Sequence, residues 1–169
     1  QMEPEPGVYS QAFSVVGDHL FYSGQRGFRN LISVVNAPDW ARPAEARGQL
    51  NGPPADPASY VSFLNAMFDK WGTAYINAIE LWNEPNLARE WTGAPKTAAA
   101  YKKLFDPAYN AVRARSADMV IITAGLAPAG DTADGSVNDR RWLRDLYALG
   151  LPVGDPHFAI GVHPYGWAN

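Results

Sequence analysis

The chain has 169 residues, 47% hydrophobic and 12% aromatic, with a formal charge of −3. That is enough apolar content for one packed core, and too little charge of either sign for a nucleic-acid-binding face or a solvated tail. Cysteine is absent, which excludes a disulfide framework and thiolate chemistry; no run approaches the roughly 18 apolar residues of a membrane span. The first residues, Gln1 to Pro6, are acidic and proline-rich, unlike a secretory signal peptide.

In chain order, a helix is expected over about Phe13 to Tyr22, broken by Ser23-Gly24 and Gly27. Leu31–Val35 is the first apolar run, predicting a strand over 31–36 that ends at Asn36-Ala37-Pro38. Asp56-Pro57 reads as a helix cap with proline in the first turn, and Val61, Leu64, Phe68 and Trp71 recur at helical spacing before Gly72. A second strand is predicted over 76–82. Thr97 caps a helix with Tyr101, Leu104, Ala108 and Val112 on one face, which Pro107 should kink. A third strand is predicted over 119–124, a helix from Asn138 or Asp139 to Gly150, and a fourth strand over 158–163. Strand starts lie roughly forty residues apart, the spacing of βα units around a parallel sheet. Two loops, 37–56 and 124–138, are rich in Gly, Pro, Ala and Asp and follow strands. In the first, Trp40 is either a flat platform for a sugar ring or a hydrophobe that anchors the loop.

Residues 79–87 read Ile-Glu-Leu-Trp-Asn-Glu-Pro-Asn-Leu. A carboxylate ending a buried strand, with a proline closing it, lies where βα loops build active sites. Strand parity puts Glu80, Trp82 and Glu84 on one face, Ile79 and Leu81 on the other. The fourth run ends Gly161-Val162-His163-Pro164-Tyr165-Gly166-Trp167, with Ala159, Gly161, His163 and Tyr165 sharing a face.

Trp82-Asn83-Glu84-Pro85 at a strand end resembles the fourth strand of clan A glycoside hydrolases, retaining (β/α)8 barrels. The resemblance implies a general acid/base at Glu84 and a sugar 2-hydroxyl contact at Asn83. His163-x-Tyr165 resembles the sixth strand of that clan, where the tyrosine hydrogen-bonds the nucleophile and the histidine lies toward the substrate. Glu3-Pro4-Glu5-Pro6-Gly7-Val8-Tyr9 resembles the segment after the second strand. Trp91 and Tyr101-Lys102-Lys103-Leu104 bring the chain nearest to family 39 of the clan. The expected fold is therefore α/β, a partial (β/α)8 or TIM barrel with about four parallel βα units. Residues 1–169 would form one incomplete catalytic domain, from after strand two to the end of strand six.

Retaining hydrolysis needs a second carboxyl about 5–5.5 Å from the first, and in the family it is a Glu ending the seventh strand. The six glutamates stand at 3, 5, 45, 80, 84 and 90, so none follows position 90. Glu80 is four residues below Glu84, roughly 13 Å by strand rise. The nucleophile is thus expected outside these residues, and the chain alone is expected to be inactive. The implied partners are an oligo- or polysaccharide substrate, bound also by Trp40 and Trp167, and either the remainder of the barrel or another chain covering the open sheet edges. No nucleic acid, metal or organic cofactor is implied, since His19, His157 and His163 lack ligand spacing. The resemblance suggests an extracellular or cell-surface location. Two other functions fit less of the sequence: a carbohydrate-binding or structural barrel without catalysis, and a metal-dependent hydrolase using His163.

Overall fold

The computed structural model of the chain describes residues 1–165. Four helices and four strands alternate: α1 Gln11–Gln25, β1 Leu31–Val34, α2 Pro57–Trp71, β2 Ala78–Asn83, α3 Ala98–Arg115, β3 Val120–Gly125, α4 Asp139–Ala148 and β4 Phe158–Ala159. The strands form one parallel sheet in chain order, β1-β2-β3-β4.

Register explains which face is buried. Ile32, Ile79, Ile121 and Phe158 lie side by side across the sheet; Ile79 and Ile121 are fully buried, and the Phe158 ring meets Phe105 and Tyr109 of α3. The row one residue on, Ser33, Glu80, Ile122 and Ala159, is half-buried to exposed. The helices pack against one another in sequence, α1 on α2, α2 on α3 and α3 on α4.

Helix ends follow the capping chemistry of the sequence. Asp56 accepts from the Ala58 N–H, Thr97 from Ala100 and Asn138 from Arg141. Gly72 follows α2 at φ +71, a conformation costly for any residue with a Cβ. Two expectations need correction. Helix α1 runs through Ser23 and Gly24, because Gly24 is a contact and not a break: a Cβ there would overlap the Tyr75 ring. Strand β4 is two residues long, because Gly161 gives its N–H to the Thr123 hydroxyl at 3.0 Å instead of to the ladder. Parallel pairing returns only as a single bridge, Val162 to Leu126.

The 37–56 loop holds two short 3-10 turns, Asp39–Ala41 and Ala44–Ala46. It is organised by buried Arg42, whose guanidinium donates to the carbonyls of Ala37, Gln49 and Leu50. No described helix is long and apolar enough to cross a membrane.

One junction below the site is titratable. Asp155 accepts from the Tyr109 hydroxyl at 2.5 Å and the His157 N–H at 2.8 Å, and pairs with Arg113 at 2.7 Å. Foremost the tyrosine bond, then the backbone bond and Arg113, hold its carboxyl below the ordinary range. A carboxyl depressed on folding contributes stability above its unfolded pKa and loses it as pH falls through the folded value. Asp155→Asn is therefore expected to lower the melting temperature at neutral pH, with the gap to the native protein closing as pH drops below about 4. Melts across a pH series check this; a gap that stays constant into strong acid contradicts it.

Candidate active site

Strand β2 ends irregularly. Trp82 has φ +89 and Glu84 φ +41, both in the region that L side chains rarely adopt. Sheet pairing brackets Trp82, joining Leu81 to Thr123 and Asn83 to Gly125. Between those rungs the Tyr101 hydroxyl intervenes: it donates to the Leu81 carbonyl and accepts from the Ala124 N–H, each at 2.8 Å.

The turn at Trp82 overrides strand parity. Its indole packs with Tyr60 of α2 and with Trp91, at ring-centroid distances of 5.8 and 5.3 Å, and is buried. The expectation that Trp82 shares a face with Glu80 and Glu84 is therefore corrected. Trp82 joins the helix-side aromatics, and the two carboxylates remain together on the other side.

Glu84 is 3% exposed. Its backbone N–H donates to the Gly125 carbonyl at 3.0 Å, so the residue is tied to the end of β3. The Oε1 atom lies 2.9 Å from His163 Nδ1 and accepts from the Tyr165 hydroxyl. The Oε2 atom faces the Arg89 guanidinium at 3.7 Å. Arg89 is 72% exposed on its side chain and also reaches Glu90 at 3.3 Å. The hydrogen bond to Glu84, with lesser contributions from burial and the Glu84 charge, pushes the Tyr165 hydroxyl above its ordinary pKa. It is therefore a donor throughout the neutral range.

His163 is placed by backbone and by absence of bulk. Its N–H donates to the Leu126 carbonyl at 3.1 Å, and its ring lies against Gly125, where a Cβ would overlap the imidazole. Its other nitrogen, Nε2, is 3.5 Å from Glu80 Oε1. That same Glu80 oxygen accepts the Gly125 N–H at 2.9 Å. Glu80 of β2 and Glu84 just past its end thus face the two nitrogens of one ring. Their carboxyls come closer than the strand rise implies, because the side chains lean toward His163 from below and above. The Glu80 carboxyl lies on the Nε2 side of the ring and the Glu84 carboxyl on the Nδ1 side.

Gly125→Ala is expected to push the His163 ring off Glu84 and to destabilise the fold by about 1–3 kcal/mol, the usual cost of overpacking. Denaturant melts read the second effect, and the chemical shifts of the His163 ring the first. A fully stable variant with unchanged shifts contradicts this packing.

The structure brings together Glu84, His163 and Tyr165, with Asn83 at the last rung of β2, half-buried and level with Gly125. Tyr165 bonds Glu84 itself, whereas the resemblance gave the nucleophile as its partner. Trp40 is not part of this group. Its indole N–H donates to the Glu3 carbonyl at 3.0 Å, and its ring lines a separate, largely apolar cleft of about 520 Å³ beside β1 and α2. Trp167 lies outside the described residues. Glu80, Gly125 and Arg89 were not among the expected site residues. Glu80 was legible as a carboxylate in phase with Glu84; the other two had no signal of their own.

Among the described residues, no group of three or more His, Asp or Glu side chains has the arrangement to hold a metal ion. Asn86 ties the two flanking loops together, donating to the Ala127 and Val137 carbonyls and accepting from the Ala127 N–H. In comparisons with known proteins, no family model matches the chain and no curated protein matches it.

Proposed function

We propose that this chain is the central part of a (β/α)8 barrel glycoside hydrolase that cleaves O-glycosidic bonds of oligo- or polysaccharides with retention of configuration. The observation that carries the reading is Glu84: a buried carboxyl at the C-terminal end of a parallel strand, met on one oxygen by an imidazole and a phenol from the chain segment two βα units on. Four parallel strands in chain order, with a buried helix side and a more open opposite face, are compatible with a segment of such a barrel.

In this reading Glu84 begins as a carboxylic acid. It gives its proton to the glycosidic oxygen while a second carboxylate, from a part of the barrel outside these residues, attacks the anomeric carbon. Glu84, now ionised, is stabilised by the Tyr165 hydroxyl and by Arg89. It then takes a proton from the water that cleaves the glycosyl-enzyme, which restores the acid. Asn83, at the rung before Glu84, is assigned to the sugar 2-hydroxyl by its place in the motif. The sheet edges of β1 and β4 are closed by further strands of the same barrel or by another chain.

The test is product stereochemistry. The complete protein should release sugar from aryl glycosides with the anomeric configuration retained in the first-formed product, read by proton NMR during the reaction. Inverted product removes the double-displacement mechanism. The 169-residue chain alone should release none; a measurable rate from it would mean that the nucleophile lies within these residues.

A further inference from the structure

We propose that Glu80 is a positioning residue: it takes the Nε2 proton of His163, so that the imidazole always turns Nδ1 to Glu84 and shares one proton with it. The inference rests on reading Glu84 as the acid/base, but the pairing itself is a property of the described site.

Both nitrogens of His163 face carboxyl oxygens, Glu84 Oε1 at 2.9 Å and Glu80 Oε1 at 3.5 Å. A neutral imidazole has one N–H and one lone pair, and a carboxylate can only accept. Either neutral tautomer therefore satisfies one carboxylate and sets a lone pair against the other. A lone pair is accommodated only where the facing carboxyl carries a proton. Glu80 is held as an acceptor, since its Oε1 also receives the Gly125 N–H at 2.9 Å. Glu84 is the carboxyl that must be protonated to act as an acid. The consistent arrangement keeps Nε2–H on Glu80 and leaves Nδ1 facing Glu84.

One further proton then has two homes. Before cleavage it resides on Nδ1 when Glu84 is ionised and on Glu84 when the ring is neutral, and moving it between them changes no net charge; once it has gone to the leaving oxygen the pair holds none, and the Glu84 carboxylate is met by the Tyr165 hydroxyl and by Arg89. During glycoside cleavage the bond from Glu84 oxygen to hydrogen breaks as the bond from leaving oxygen to hydrogen forms. The proton taken later from water refills the same pair. Among the described residues, the other charged or titratable groups at the unit include Tyr165 on Glu84 Oε1, Arg89 on Glu84 Oε2 and Glu90 behind Arg89, with Tyr60 and Tyr101 within electrostatic reach of Glu80. Strand β3 contributes backbone alone at Gly125. Glu80 touches neither substrate nor the reacting atoms in this account. It acts through the ring, and Gly125, lacking a Cβ, leaves room for that ring.

The test uses ¹⁵N-labelled histidine in the 169-residue chain, with the His163 signals assigned by difference against His163→Gln. The native protein should show the Nε2–H form whenever the ring is neutral. In Glu80→Gln, whose amide can donate to Nε2, the neutral ring should move predominantly to Nδ1–H. Glu84→Gln should keep Nε2–H, because Glu80 is still present. Amide spectra establish that each variant is folded; if Glu80→Gln is not, Glu80→Asp is read instead and should give a mixture of tautomers. An unchanged tautomer on loss or withdrawal of the Glu80 carboxylate overturns the proposal. In the complete protein, Glu80→Gln should also slow poor leaving groups by about tenfold or more, part of what a general acid supplies. If the ring responds but the complete protein hydrolyses no glycoside, the glycosidase reading falls while the assignment of Glu80 stands.

Discussion

Glu84→Gln in the complete protein should reduce hydrolysis of glycosides with poor leaving groups by about 10²–10⁴-fold, the range supplied by a positioned general acid. A glutamine fills the same space, so the contacts of Oε1 with His163 and Tyr165 are perturbed little, but the side chain no longer has a proton to give. Substrates with activated aryl leaving groups depart without protonation, so for them the loss falls on the second step, where water lacks its base. Azide needs no base. It should restore turnover of those activated substrates in the variant and leave the native protein unaffected. Steady-state rates with and without azide check this; absence of rescue would place the defect elsewhere than in proton transfer.

Tyr101→Phe should be the most destabilising removal of a single atom in the fold, at about 2–5 kcal/mol. Its hydroxyl is fully buried and bridges the Leu81 carbonyl and the Ala124 N–H, two backbone groups left without ladder partners where Trp82 turns. Each buried group left unsatisfied costs about 1–3 kcal/mol. Burial drives the hydroxyl pKa far above its ordinary value, so the bridge does not titrate away in the accessible pH range. Chemical denaturation of the variant measures the loss, and a change below about 0.5 kcal/mol would show that water or relaxation replaces the bridge. The same variant should also disturb Glu84, two residues beyond the broken rung.

What could be read from the residues was the repeating frame. Apolar runs of the right length gave four strands within about two residues at their starts, because burial on the helix side imposes a continuous pattern that composition displays. Asp56-Pro57, Thr97 and Asn138 gave helix starts, since each cap is a local hydrogen bond. Glu84 with His163 and Tyr165 could be singled out because the motifs marked them; strand parity pointed the same way, although the backbone is not regular strand at Trp82 or beyond Ala159.

What could not be read depended on tertiary contact. Gly24 looks like a breaker in the sequence and is a point of close packing in the fold, a difference made by Tyr75, fifty-one residues away. The phase of Trp82 is set by a φ that parity assumes is negative. The short fourth strand follows from one hydroxyl, Thr123, competing for the Gly161 N–H. Trp40 could serve a sugar or anchor a loop in the sequence; the fold adds that its indole bonds Glu3 and lines a cleft apart from Glu84. Glu80 was set aside on backbone distance, although its side chain and that of Glu84 reach the two nitrogens of one ring.

We propose Glu84 as the acid/base of a retaining glycosidase. Its role is tested most directly by the ratio of Glu84→Gln to native rate across aryl glycosides whose leaving groups span a wide range of pKa. The ratio for the glycosylation step should fall steeply as the leaving group becomes more basic, approaching unity for the most activated substrates. A ratio that stays flat across the series would contradict the claim, because a residue that donates no proton has no reason to discriminate among leaving groups.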